Sequence, residues 1–209
     1  MATTAKENIL KRIRKALINP VPLPFPNSEG TDSVYKSPQD DDAIIFGEEF
    51  TKSQGKFVYC ANNHELIAQL AQLIQEHGWT KIYCRDAAFL PMLHHLGIKP
   101  FEDLATCEVS ITGCEYLVAR TGSMVLSAAQ QTGRTSSIYA PIHICIAYNR
   151  QLVFDIQDAL VFLKEKYSAA FPSFVTFATG PSRTADIEKT LVTGVHGPKE
   201  VYCCLVEHE

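Results

Sequence analysis

No apolar run in this 209-residue chain approaches the roughly 20 residues that a membrane-spanning helix needs. The patterns G-x-G-x-x-G, G-x-x-x-x-G-K-[ST] and G-x-S-x-G do not occur. A nucleotide dehydrogenase, a P-loop enzyme and a serine hydrolase therefore lose their usual support. An excess of positive charge is also missing: 19 Lys and Arg against 23 Asp and Glu leave a net charge of −4. Nothing in that balance points to nucleic acid or a membrane surface as partner. The opening residues, MATTAKENILKRIRKAL, are too polar for a secretory signal. Metal-ligand spacing is absent, because His94 and His95 are adjacent on an expected helix and diverge by about 100°. The expectation is no metal site.

There is no C-x-x-C pair either, although the chain has 7 cysteines. Several lie in β-type runs (FVYC, IYC, HICIA, VYCCLV), where Cys acts as a small buried hydrophobe. The adjacent Cys203 and Cys204 face opposite ways if they lie in a strand. Reduced core thiols are expected, with neither an iron–sulfur cluster nor a disulfide framework in this chain.

What is present reads as an ordinary globular α/β composition, with 46% hydrophobic and 20% charged residues. Three regions follow in order. Residues 1–18 form a basic amphipathic helix: Thr4 and Glu7 make a capping box, Ile9, Leu10, Ile13 and Leu17 share a stripe, and Lys and Arg cover the other face. That face is either simply solvated or a docking surface for an acidic partner. Residues 19–42 are a linker, first Pro-rich (NPVPLPFP) and then acidic, ending in Asp40-Asp41-Asp42. Residues 43–209 form one α/β domain.

Within that domain, short apolar strands alternate with helices. Strands are expected at 56–60, 81–84, 108–112, 116–119, 124–127, 143–148, 174–177 and 200–207. Helices are expected near 43–53, from the Asn62 cap to Gly78, at 87–96, at 155–167 and around Ile187. This order predicts a three-layer α/β fold, a mainly parallel sheet with helices on both faces, and an antiparallel excursion or extra sheet edge between 108 and 148.

Three polar turns offer a site. Thr121-Gly122-Ser123 places a Gly, which permits close backbone approach, between two hydroxyls. The segment 133–137 joins a flexible Gly and Arg134 to three hydroxyls, a clamp for carboxylate or phosphate or else a solvated loop. At 180–186, Gly180 and a helix start near Ser182, Arg183 and Thr184 would present free N–H groups beside a guanidinium. In an open parallel sheet the ligand lies at the carboxyl ends of the strands, which favours this last turn. Asp186 would instead pair with Arg183 if the turn is merely a capped helix. His196, nearby in sequence, is the candidate acid or base, and no complete catalytic set emerges.

The segments ITGCEYLVARTGSMVLS (111–127) and GPSRTADIEKTLVTGVHGPKE (180–200) together resemble the lactate utilization protein C family of LUD-domain proteins. The likeness runs from about residue 46 onward. It implies a fold like that of the sugar-phosphate isomerase and CoA-transferase superfamily. It also implies a bacterial cytosolic protein that works with iron–sulfur partner proteins in the oxidation of lactate to pyruvate. The clusters would then belong to the partners, and this chain would be an accessory subunit with an organic-acid or anion-binding cleft. Two alternatives share the fold: an independent enzyme of isomerase, CoA-transferase or folate-ligase type, and a metabolite-sensing module. The family carries a T-G-T-type turn where this chain has Thr121-Gly122-Ser123. Arg120 stands where many relatives carry an acidic residue, which counts against a carboxylate nucleophile or base at that point.

Overall fold

The computed structural model describes residues 5–18, 40–184 and 192–208. The Thr4 cap, most of the 19–42 linker and the expected helix around Ile187, with Asp186, lie outside the described residues. The chain divides into two compact units, residues 1–37 and 38–209. In the first, helix α1 spans Ala5–Ile18, with Glu7 in its first turn and Lys15 in its last, the charge order that a helix dipole favours.

The second unit is built on five parallel strands. They are β1 (Lys56–Asn62), β2 (Ile82–Cys84), β3 (Val109–Gly113), β6 (Ile142–Tyr148) and β11 (Glu200–His208), in the spatial order β1-β11-β6-β3-β2. Helices α3 (Asn63–His77) and α4 (Leu90–His95) cover one face. Asn62 caps α3 by accepting from the Glu65 N–H at 3.1 Å, and Gly78 closes it in the left-handed region at φ 65°. Leu66, Leu70 and Leu93 from these helices pack on Ile82, Ile111, Ile144, Ile146 and Cys204 of the sheet.

The opposite face is covered differently from a simple three-layer pattern. Helix α2 (Asp42–Lys52) lies there, and Phe46 and Phe50, fully buried and stacked at 5.5 Å, seal it to Cys145, Ala147, Cys203 and Leu205. Beside α2 lies a second sheet of four strands: β4 (Tyr116–Val118), β5 (Ser123–Ser127), β7 (Leu152–Val153) and β8 (Val175–Ala178). Helix α6 (Ile156–Tyr167) backs this small sheet through Ala159 and Leu163 against Val118, Val125 and Val153. The small sheet is assembled from two excursions. Strands β4 and β5 come from the connection between β3 and β6, and β7 and β8 from the connection between β6 and β11. A mainly parallel sheet with helices on both faces is therefore what the chain forms, with a sheet inserted under α6.

Two expectations change. The strand near Phe174 is β8, which pairs antiparallel with β5 in the small sheet and does not join the parallel one. The acidic run before the domain is not all linker, since Asp41 caps α2 by accepting from the Ala43 N–H at 2.8 Å and Asp42 is the first helical residue. Residues 136–139 form a single helical turn, α5 (Ser136–Tyr139), that the sequence pattern gave no sign of.

The cysteines do what small hydrophobes do. All seven are free and buried. Cys204 points to the α3 face and Cys203 to the α2 face, the opposed orientation expected of neighbours in a strand. Burial pushes the Cys60 and Cys84 thiols up to about 11, which keeps both protonated at neutral pH. Among the described residues no group of three or more His, Cys, Asp or Glu is placed to hold a metal ion. No described helix is long and apolar enough to cross a membrane.

Candidate functional site

Where the two sheets diverge, a cavity of about 340 Å³ opens between them. Its floor is Met124 and Leu126 of β5 together with His143 and Val201, the second residues of β6 and β11. One wall is β8 and the turn after it, from Thr176 to Gly180. The rim is formed by Ser137 and Ile138 of α5 and by Ser182, His196, Gly197 and Pro198. The volume falls in the range of about 300–1,000 Å³ typical of small-molecule sites. Among the described residues the lining carries hydroxyls and two imidazoles but no carboxylate.

The cavity lies at the amino-terminal end of the parallel strands, since His143 and Val201 begin their strands. The carboxyl-end rule for open parallel sheets therefore does not describe it. The reason is topological: the 180–184 turn follows a strand of the small sheet, so the geometry of the parallel sheet never governed its position.

The local structure of that turn also differs from expectation. Arg183–Thr184 is not a helix start but a short strand, β9, paired antiparallel with β10 (Val192–Thr193). Its backbone groups are already used. The Ser182 N–H donates to Pro198 O at 2.9 Å, and the Gly194 N–H donates to Ser182 O at 2.8 Å. The free N–H groups expected there are consequently not those of a helix terminus. Gly180 is required by close approach: at φ 109°, a Cβ would stand 2.5 Å from Ser53 O, just beyond α2.

The sequence-derived residues divide into three groups. Gly180, Ser182 and His196 line the cavity, joined by Ser137 from the second turn. Thr121, Gly122 and Ser123 stand behind its wall. Gly122, at φ 58°, presses on α2 so closely that a Cβ would lie 2.3 Å from the Phe50 nitrogen. Thr121 Oγ1 donates to Ser123 Oγ at 2.8 Å, and Ser123 Oγ lies 2.6 Å from Thr179 Oγ1. Either hydroxyl can donate at the Ser123–Thr179 contact, and Ser123 Oγ also reaches Thr121 O at 3.5 Å. The third group points elsewhere. Arg134 donates to Ser173 Oγ and lies 5.6 Å from the Phe174 ring centroid, Arg183 is exposed on β9, and Thr184 is half-buried beside it.

Two functional-looking residues were missed. His143 is 1% exposed, and its Nε2 lies 2.8 Å from Thr112 Oγ1 of β3. Burial holds this imidazole down at about 4, so it is neutral at physiological pH. The signal available was the alternation in HICIA, which sets His143 on one strand face with Cys145 and Ala147. Glu115 is the other, a buried carboxylate that accepts from Ser127 Oγ at 2.5 Å, Lys166 Nζ at 2.8 Å and Tyr167 OH at 2.8 Å. It ties the β3–β4 turn to β5 and α6 and lies outside the cavity lining. Arg120 likewise serves structure, bonding Asp155 at 2.7 Å. That hydrogen bond, with the α6 cap contacts, holds the Asp155 carboxyl below its ordinary value.

A family model described as LUD domain matches residues 99–206, more than half of the chain and all of the cavity lining. Among curated proteins, the chain is 31% identical over 130 residues to lactate utilization protein C of Bacillus licheniformis, covering 61% of this chain and 51% of that protein. It is 35% identical over 112 residues to lactate utilization protein C of Bacillus velezensis, covering 53% and 46%. An uncharacterized protein of Neisseria meningitidis serogroup B is 30% identical over 135 residues, covering 63% and 58%. The chain thus spans about half the length of the curated relatives it matches. Among solved structures, a DUF162 family protein from Deinococcus radiodurans superposes with a TM-score of 0.59 at 17% identity, covering 80% of this chain and 99% of that one, a likeness of fold.

Proposed function

The chain belongs to the LUD domain family, and we propose that it serves a lactate-utilization system as an accessory protein that binds a small organic acid in the cavity between its two sheets. The observation that carries this reading is the lining: Thr179, Ser182 and the exposed His196 bring donor groups to a half-open cavity with no described carboxylate to oppose an anion. An anion in a shielded cleft gains more from a few fixed donors than it does in water, because the donors need no reorganisation. Thr179 is held in place by its 2.6 Å contact with Ser123 Oγ. The lactate context comes from the names of the relatives in Bacillus.

The redox chemistry of such a system would belong to iron–sulfur partner proteins. The seven buried thiols of this chain offer no accessible cluster ligands. Binding is favoured over independent catalysis by His143, since an imidazole held near 4 is a weak base at neutral pH.

Calorimetry with lactate, pyruvate and propionate tests the site. Wild type binds at least one of these acids, and Ser182→Ala combined with His196→Ala weakens that binding about tenfold or more, the equivalent of two lost donors. Unchanged affinity in the double variant counts against the cavity as the site. Co-purification of the tagged protein with iron-containing proteins from native cells grown on lactate is the matching test of the accessory role, and recovery of the chain without them contradicts it.

A further inference from the structure

At the cavity floor, the hydrogen bonds around His143 favour one tautomer. Thr112 Oγ1 donates to Gly113 O at 3.0 Å, which uses the hydroxyl's single proton. Donation by the ring across the 2.8 Å contact between His143 Nε2 and Thr112 Oγ1 satisfies both contacts at once, whereas a Thr112 hydroxyl turned to the ring would give up Gly113 O. With the imidazole neutral, Nδ1 carries a bare lone pair. Among the described residues, Ser110 Oγ is the buried side-chain nitrogen or oxygen left without a partner and sealed from solvent. Nδ1 is not so sealed, and His143 lines the cavity.

The floor thus offers an acceptor where the rim offers donors. We infer that His143 is a specificity residue that accepts the hydroxyl proton of a 2-hydroxy acid at Nδ1, so that the cavity selects hydroxy acids over the corresponding 2-oxo acids, an assignment that rests on reading the cavity as an organic-acid site. A hydroxyl donates to the lone pair, whereas an oxo oxygen opposes it with lone pairs of its own. The other polar end of the ligand, its carboxylate, then faces Thr179, Ser182 and His196. Because His143 is nearly fully buried, a ligand lacking the donor leaves that acceptor unpaired and out of water, which is the situation in which a polar mismatch discriminates most.

The test is calorimetry with lactate and pyruvate on wild type and His143→Leu. The variant removes both ring nitrogens and supplies no acceptor in their place, while Thr112 keeps Gly113 O as its partner. Wild type is expected to bind lactate about tenfold or more tightly than pyruvate, and the variant to lose that ratio. Equal binding of the two acids, or tighter binding of pyruvate, overturns the hydroxyl assignment and leaves the organic-acid site standing. Absence of binding by either acid overturns both. A second measurement needs no variant: in protein with ¹⁵N-labelled histidine, the Nδ1 resonance of His143 is that of an unprotonated ring nitrogen, and it moves on addition of lactate but not of propionate. A protonated Nδ1 in the free protein contradicts the inference.

Discussion

His143 and Glu115 are both buried polar groups, yet their surroundings give them opposite consequences. Among the described residues the hydrogen-bond partner of His143 is Thr112, and burial lowers its folded value from the ordinary 6.5 to about 4. The unfolded chain therefore takes up a proton first as pH falls. Stability from this residue is fully present above 6.5 and is lost between 6.5 and 4, a change on the order of 3 kcal/mol. Denaturant unfolding of wild type and His143→Gln between pH 7.5 and pH 4 should show the two stabilities converging or crossing by about that amount. A difference that stays constant with pH contradicts it. Glu115 has three donors, and its side chain is 1% exposed while that of Lys166 is 52% exposed. Glu115→Ala leaves Tyr167 and Ser127 without their acceptor and should cost about 3 kcal/mol. Lys166→Met should cost about 1 kcal/mol or less, because solvent screens the lysine and Glu115 keeps its two hydroxyl partners. Equal losses from the two substitutions would show that the ion pair, not the hydroxyl cage, holds the carboxylate.

Among the elements, α2 is the abutment for the cavity wall. Gly122 and Gly180 both meet the backbone around its C-terminal end, and the Ser123–Thr179 contact links the two turns. Gly122→Ala would force a Cβ onto the Phe50 nitrogen at a positive φ, so a loss of about 2 kcal/mol or more is expected in thermal or denaturant unfolding. A stability within about 0.5 kcal/mol of wild type would mean the turn moves freely from α2. Most individual elements were legible, since Asn62, Gly78 and Asp155 mark helix ends and the apolar stripes of α3 and α6 follow the helical period. The 180–184 turn was not. Strand-turn-helix and strand-turn-hairpin begin with the same Gly-Pro signal, and the pairing of Arg183 with Thr193 is a contact across the chain that local pattern does not encode.

For the molecule as a whole, the sequence pointed to a mainly parallel α/β sheet with an antiparallel excursion or extra edge between 108 and 148; the β4–β5 pair is that excursion, and its union with β7 and β8 in a second sheet went unseen. The reason lies in burial. Strands β3 and β5 are buried at every residue, β3 with α3 and α4 on one face and α5 against it, and β5 between the large sheet and α6. A strand covered on both faces shows no alternation, so periodicity says nothing of which sheet it joins. The cavity depends on that assignment, because it exists only where β5 and β8 lie over the starts of β6 and β11. Hence Gly180, Ser182 and His196 could be picked out one by one, whereas His143, brought to Thr112 from 31 residues away, could not.

The central claim is that an organic acid binds between the two sheets, at the amino-terminal end of the parallel strands. Titration of ¹⁵N-labelled protein with lactate, followed by amide chemical shifts, tests it most directly. The largest changes are expected at Ser137, Thr179, Gly180, Ser182 and Gly197. Changes centred instead on Arg85, Asp86, Asn149 and Arg150, at the carboxyl ends of β2 and β6, would contradict it.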